Sequence, residues 1–196
     1  TPLYSSAASD VYKRQQHYSG LSREQIRNTF AAFCDARPVG GKFAHRATDG
    51  PAGSSPSMKW VNPPVAYMMH AGVPLLVQAN AHFPGLLPTP ATPPARIALE
   101  AYPGLLARLV LGNRSYKSDD KAKQTPERWV ARKDLLNALD TGQVNALQGL
   151  RCVARPALQE TMLQDASGDH VDAYLCLVQA AWGLMQHQQG LSLIHI

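Results

Sequence analysis

Cysteine and long hydrophobic runs are scarce in this chain of 196 residues. The three cysteines, Cys34, Cys152 and Cys176, lie far apart and form no Cys-x-x-Cys pair. An odd, scattered set argues against a secreted fold stabilised by disulfides and favours a reducing, cytoplasmic compartment. No apolar run approaches the roughly 18 residues that a membrane helix requires. We therefore expect a cytoplasmic protein without a membrane partner.

Motifs for two common kinds of site are absent as well. The chain contains no Gly-x-x-x-x-Gly-Lys-Ser/Thr run, which a P-loop for nucleotide phosphates requires. Its histidines have no paired spacing with cysteine, which argues against a zinc site. No internal repeat or low-complexity tract is present. With 45% hydrophobic and 17% charged residues the chain has the composition of a globular protein, and one domain is the default expectation.

Both ends of the chain differ in character from the remainder. Residues 1–15 and 191–196 resemble translated sequencing-adapter read-through rather than evolved protein, so fold reasoning excludes them. We expect a single domain over residues 16–190. Because the natural sequence then starts in the middle of a gene, this domain is expected to be partial.

Positive charge is concentrated in one segment. Residues 108–133 carry eight bases and three acids, and this excess equals the net charge of the whole chain, +5. Such a segment could contact phosphates and steer a polyanion, although an ordinary solvated loop and helix face has the same composition. Residues 36–57 are rich in Gly, Pro, Ser and Thr and predict a long loop. Arg46 on this loop, and Lys59 just after it, could also touch a phosphate backbone.

Helix signals recur along the chain. Ser22 and Gln25 form a capping box that predicts a packed helix as far as Asp35. Further helices are predicted from residues 62, 103, 126, 156 and 169. The last of these carries apolar residues three and four positions apart, a stripe that would pack on a sheet.

One buried strand is predicted, at 96–102, because this run is short, apolar and flanked by prolines. Glu100 lies near its end. A carboxylate in that position either meets a cation or lies at the sheet edge in water.

Two acids open the last predicted helix. Asp169 and Asp172 are three positions apart, so they share one face with about 5 to 6 Å between their Cβ atoms. Both could reach one divalent cation, and Mg2+ or Mn2+ prefers such oxygen ligands. The alternative is a helix cap for Asp169 and an exposed first-turn acid for Asp172, since the helix dipole favours acids there. Together with Glu100 they predict a metal site.

Four segments taken together resemble one family. They are Leu99-Glu100-Ala101-Tyr102-Pro103, Ser115-Tyr116-Lys117, Ala131-Arg132-Lys133-Asp134-Leu135-Leu136 and Asp169-His170-Val171-Asp172-Ala173. As a set they look like the domain of unknown function 429 family, whose members are predicted nucleases of the ribonuclease H-like fold. The resemblance covers about residues 17–188. The start of the last helix is also similar to the last acidic motif of RuvC-type resolvases.

The resemblance implies an α/β fold, in which a central mixed sheet is flanked by helices. Acids from the first strand, a middle strand and the final helix would meet around divalent metal. Glu100 matches the middle-strand acid, and Asp172, with Asp169 beside it, matches the helical one. The first-strand aspartate has no counterpart in this chain. The first strands of the fold are therefore expected to lie before residue 16 and to be missing.

The same resemblance implies roles in the intact protein. Glu100, Asp169 and Asp172 would be catalytic metal ligands, and Lys117 would stabilise transition-state charge unless it is one more solvated base. Residues predicted to bind substrate phosphate are Lys121, Lys123, Arg132, Arg46 and Lys59. The predicted function is hydrolysis of nucleic-acid phosphodiester bonds with Mg2+ or Mn2+, lost in this fragment. The alternatives are a non-catalytic nucleic-acid binder, or a phosphotransferase or ATPase of the same fold superfamily.

Overall fold

A computed structural model of the chain describes residues 20–36, 49–55, 65–84, 92 and 94–188. The chain divides into two compact units, Thr1–Glu100 with Ile194–Ile196 (unit 1) and Ala101–Leu193 (unit 2). The adapter-like segments 1–15 and 191–196 lie outside the described residues, as do Arg46 and Lys59. Most of the predicted site residues that the structure describes therefore belong to unit 2.

The predicted α/β architecture is wrong. Within the described residues the chain forms helices and no strand or sheet, so the ribonuclease H-like mixed sheet is not found there. The described residues include an isolated parallel bridge between His82 and Ile97. In this bridge His82 N donates to Arg96 O at 2.9 Å, and Ala98 N donates to His82 O at 2.8 Å. The run predicted as a buried strand is thus a single bridge followed by irregular chain.

The backbone of Tyr102 shows why this run joins no sheet at its end. Tyr102 is extended, with φ −128° and ψ 94°. However, its N–H donates to Gln179 Oε1 at 2.9 Å, and its carbonyl accepts from Gln179 Nε2, also at 2.9 Å. A side chain of the last helix therefore takes both groups that a neighbouring strand would have used. Pro103, which lacks an N–H, then opens a helix.

Unit 1 contains three described helices. They are α1 (Arg23–Asp35), α2 (Asp49–Ala52) and α3 (Val65–Gln78). The predicted capping box of α1 is confirmed, because Ser22 N donates to Gln25 Oε1 at 2.7 Å and Gln25 N donates to Ser22 Oγ at 3.3 Å. The predicted start of α3 near residue 62 lies outside the described residues.

Unit 2 contains four described α-helices and two short 3-10 turns. The helices are α4 (Pro103–Leu111), α5 (Pro126–Thr141), α6 (Pro156–Gln164) and α7 (Asp169–Gln188). All four predicted starts in this unit are confirmed. The turns are Lys121–Lys123 and Asn145–Leu147. Across the described part of the chain, no helix has both the length and the apolar character needed to cross a membrane.

The core of unit 2 is formed by helices packing on helices. α4 packs on α5 and α7, and α6 packs on the same two helices. The apolar stripe of α7 was predicted to pack on a sheet, but its central residues Val171, Leu175 and Val178 are fully buried among side chains from the other helices and their connections. Helix-on-helix packing therefore buries the face that was expected to cover strands.

Candidate functional site at the start of the last helix

Asp172 is the centre of a compact polar cluster in unit 2. Its Oδ1 accepts a hydrogen bond from Tyr116 Oη at 2.5 Å, and its Oδ2 accepts one from Lys117 Nζ, also at 2.5 Å. The ion pair is partly open to solvent, since the side chains of Lys117 and Asp172 are 40% and 26% exposed. The structure thus brings together two residues that the sequence predicted for one site, although they lie 55 positions apart.

Gly168 allows Lys117 to come this close. Gly168 is buried and has φ +78°, a conformation that residues with a side chain rarely adopt. A Cβ atom there would lie 2.6 Å from Lys117 Cβ and 2.9 Å from Lys117 Cδ. Glycine is therefore required at this point both by the backbone and by the space that Lys117 fills.

Two arginines of α5 hold the segment that carries Tyr116 and Lys117. Arg132 is buried, with 4% exposure, and donates from Nη1 to Tyr116 O at 2.7 Å. Its Nε and Nη2 donate to Leu163 O at 3.0 and 2.8 Å, at the end of α6. Arg128, which is half-buried, donates to Lys117 O. The two arginines thus fix the backbone of Tyr116 and Lys117, the residues whose side chains contact Asp172.

A tight turn precedes α7 and positions its first residues. Asp165 Oδ1 accepts from Ser167 Oγ at 2.6 Å and from Gly168 N at 3.2 Å, and Asp165 Oδ2 accepts from His170 N at 2.8 Å. His170 Nδ1 also lies 2.9 Å from Asp165 Oδ2. Asp165 therefore caps the start of α7 from outside the helix.

Burial and hydrogen bonds shift the pKa values of Asp165 in this turn and of Tyr116 beside Asp172. Burial raises the pKa of Asp165, but hydrogen bonds from Ser167, His170 and Gly168 outweigh it and hold that pKa well below its usual range, so the group stays ionised. Burial, followed by the hydrogen bond to Asp172, raises the pKa of Tyr116 far above its usual range. Tyr116 is therefore a neutral hydrogen-bond donor and not a base.

The other two predicted metal ligands differ in setting. Asp169 is exposed, and its Oδ2 lies 3.0 Å from Ser167 Oγ. Glu100 is exposed at the end of unit 1, whereas Asp169 and Asp172 belong to unit 2. In the part of the chain that the structure describes, no group of three or more His, Cys, Asp or Glu side chains could hold a metal ion. A cation shared by Glu100 and the α7 acids stays a prediction.

Several bases of segment 108–133 have partners within the fold. Arg114 pairs with Asp134 at 2.7 Å, and Lys123 Nζ lies 3.3 Å from Asp120. Arg132 faces the interior, where it contacts backbone carbonyls. Of the predicted phosphate-binding residues that the structure describes, Lys121 and Lys123 are exposed. The positive surface is therefore smaller than the sequence count suggests.

Sequence reasoning gave no role to Tyr116 or Gly168, and it counted Arg128 only among the bases of segment 108–133 that could contact phosphates. Tyr116 stands next to Lys117 in a quoted motif, but nothing local shows that its hydroxyl reaches Asp172. Arg132 had a readable signal, because it precedes Leu135, Leu136 and Leu139 by three, four and seven positions and so shares the apolar face of α5.

The chain was compared with protein families, curated proteins and solved structures, and none of these comparisons assigns it to a family. No protein-family model, no curated protein and no solved structure matches the chain. The resemblance to the domain of unknown function 429 family therefore rests on the quoted motifs.

Proposed function

We propose that the intact protein is a divalent-metal-dependent phosphodiesterase that cleaves nucleic acid in the cytoplasm. The proposal is carried by one observation, the contact of Lys117 with Asp172 at the start of α7. A carboxylate able to bind a hard cation and an ammonium able to meet phosphate charge are the two kinds of group that such hydrolysis needs. Asp169, one turn from Asp172 on the same helix face, adds a second carboxylate.

The donor set fits Mg2+ or Mn2+ in chemical kind. Carboxylate oxygens are the ligands that these ions prefer, and Mg2+ commonly uses one or two carboxylates, several waters and substrate phosphate. Asp172 and Asp169 would hold the cation, with Glu100 as the third predicted ligand. When bound, the cation would polarise the phosphate and lower the pKa of a water. Lys117 competes for Asp172 Oδ2, so we expect its ammonium to turn toward substrate phosphate in the complex.

Each remaining residue of the cluster has a role that follows from its contacts. Tyr116 donates to Asp172 Oδ1 and so fixes the orientation of the carboxylate. Lys117 holds its ammonium beside Asp172 and supplies positive charge next to the expected cation site. Gly168 keeps open the space along which the Lys117 side chain runs.

The test uses protein expressed from the complete reading frame. Single-stranded, duplex and branched DNA and RNA are incubated with Mg2+, with Mn2+ and with EDTA. We expect cleavage only with the metals, and its loss in Asp172→Asn and Glu100→Gln. Lys117→Met should lower the rate by roughly a hundredfold, the usual cost of removing one stabiliser of transition-state charge.

Asp134→Asn is the matched control, because Asp134 also pairs with a base, Arg114, but outside the cluster. This variant should cleave at the wild-type rate. Metal-dependent cleavage that survives in both Asp172→Asn and Glu100→Gln would show that the assigned acids are not the site.

A second function is favoured by the exposure of Lys121 and Lys123 beside α5. On this reading the protein binds nucleic acid without cleaving it. Binding would weaken steeply with salt, would fall in Lys121→Gln and Lys123→Gln, and would be the same in Asp172→Asn as in wild type. A binding isotherm measured at several salt concentrations separates this reading from catalysis.

A further inference from the structure

Arg132 has an unusual place for a residue of a phosphate-binding segment. Its guanidinium is buried in unit 2 and reaches two separate pieces of chain, the carbonyl of Tyr116 and the carbonyl of Leu163. Lys133, the next residue, is exposed with Nζ 5.8 Å from the centroid of the Trp129 ring. Adjacent bases of one helix thus face opposite environments.

The two pieces of chain that Arg132 joins both lead into the Asp172 cluster. Tyr116 and Lys117 carry the donors to Asp172. Leu163 lies in the last turn of α6, two residues before Asp165, which caps α7. The pieces also meet directly, because Ser118 N donates to Ala166 O at 3.1 Å. The position of Lys117 relative to Asp172 therefore depends on how these pieces are held together.

A lysine could not replace this arginine. The guanidinium is a planar fork whose donors point in fixed directions, so it can serve carbonyls on two segments at once. Burial lowers the pKa of Arg132 and the charge of Asp165 partly restores it, but an arginine stays protonated in either case. Burying a cation is costly unless hydrogen bonds compensate for the lost water, and here the carbonyls of Tyr116 and Leu163 provide them.

We propose that Arg132, assisted by Arg128, is a positioning residue that sets Lys117 against Asp172, and that it does not contact substrate. This inference deepens the proposed phosphodiesterase function and, for its catalytic arm, rests on it. The geometric arm can be read without any cleavage.

The geometric arm measures how readily the Lys117 amine is acylated in the 196-residue chain. An amine-reactive acetylating reagent is applied at fixed pH, and peptide mass spectrometry follows Lys117 with exposed Lys133 as internal reference. Asp172→Asn defines the reactivity of a released Lys117. We expect Arg132→Lys to raise Lys117 labelling up to about fivefold, the ratio that corresponds to a partly exposed ion pair. Arg114→Lys, at an exposed arginine, should leave it unchanged.

Labelling of Lys117 in Arg132→Lys at the wild-type rate, with helicity preserved in circular dichroism, overturns the proposal. Should Arg132→Lys lose its helicity, Arg128→Lys decides, because Arg128 holds the Lys117 carbonyl from a half-buried position. Increased labelling in that variant supports positioning by α5, and unchanged labelling rejects it.

The catalytic arm uses the cleavage assay on the complete protein. Positioning predicts that Arg132→Lys lowers kcat and leaves KM and the salt dependence of binding as in wild type. A raised KM with a shallower salt dependence would place Arg132 on the substrate, as the sequence predicted, and would reject positioning. If wild type cleaves nothing, the proposed function fails, while the labelling result still decides whether Arg132 positions Lys117.

Discussion

Replacing Gly168 by alanine tests the contact on which the candidate site depends. The added methyl would lie 2.6 Å from Lys117 Cβ, which is not the flexible end of that side chain, so the backbone of one segment must move. The same substitution also places a side chain at φ +78°. Gly149 provides a matched control, because it has φ +82° and no atom within 4 Å of the position that its Cβ would take.

The two substitutions separate backbone strain from the contact. A non-glycine residue in the left-handed region costs about 1 to 2 kcal/mol, and both variants incur this. Only Gly168→Ala also crowds a packed contact, which typically costs about 1 to 3 kcal/mol. Loss of the Lys117–Asp172 pair adds at most about 1 kcal/mol, since the pair is partly exposed. We therefore expect about 2 to 6 kcal/mol for Gly168→Ala and about 1 to 2 kcal/mol for Gly149→Ala.

Urea unfolding followed by circular dichroism measures both losses. Lys117 acylation should rise in Gly168→Ala and remain at the wild-type level in Gly149→Ala. Equal losses of stability in the two variants, together with unchanged Lys117 labelling, would refute the claim that Gly168 makes room for Lys117.

Three further predictions concern the fold around the site. Leu175→Ala removes a fully buried side chain and should cost about 3 kcal/mol in urea unfolding, whereas Leu177→Ala, at a position 62% exposed two residues later, should cost about 0.5 kcal/mol or less. Tyr174→Phe deletes the donor to Cys152 O at 2.7 Å and should cost about 1 to 2 kcal/mol, with unchanged stability counting against that bond. The pKa of Asp165 is lowered in the fold, so the ionised carboxylate stabilises the protein above about pH 4, and this stabilisation is lost as the pH falls below that value. Asp165→Asn should therefore make the free energy of unfolding depend less on pH in the acid range. An unchanged pH dependence would contradict this assignment.

The helices were predictable because their signals are local. The Ser22 and Gln25 capping box involves residues three apart, and the structure contains both of its hydrogen bonds. Proline at the first turn correctly marked the starts of α4 and α5, and Gly142 ends α5 with φ 72°. Each of these features depends on backbone geometry within one or two turns, which a short stretch of sequence specifies.

The strand prediction failed because strand formation depends on a second segment that can be far away in the sequence. The run at 96–102 has the composition of a buried strand, and Tyr102 is extended. Whether an extended segment becomes a strand depends on a second segment that takes its N–H and carbonyl groups. Here Gln179 takes both from Tyr102, although it lies 77 positions away on a helix.

The amino-acid sequence by itself determined the helices of unit 2 and nominated Lys117 and Asp172 by their chemical type. Only the tertiary structure decided that these two side chains meet and that Tyr116 shares the carboxylate. The physical reason is that side-chain type and periodicity act over a few residues, whereas partners 55 positions apart are chosen by how α5, α6 and α7 pack and by which carbonyls that packing leaves to be satisfied.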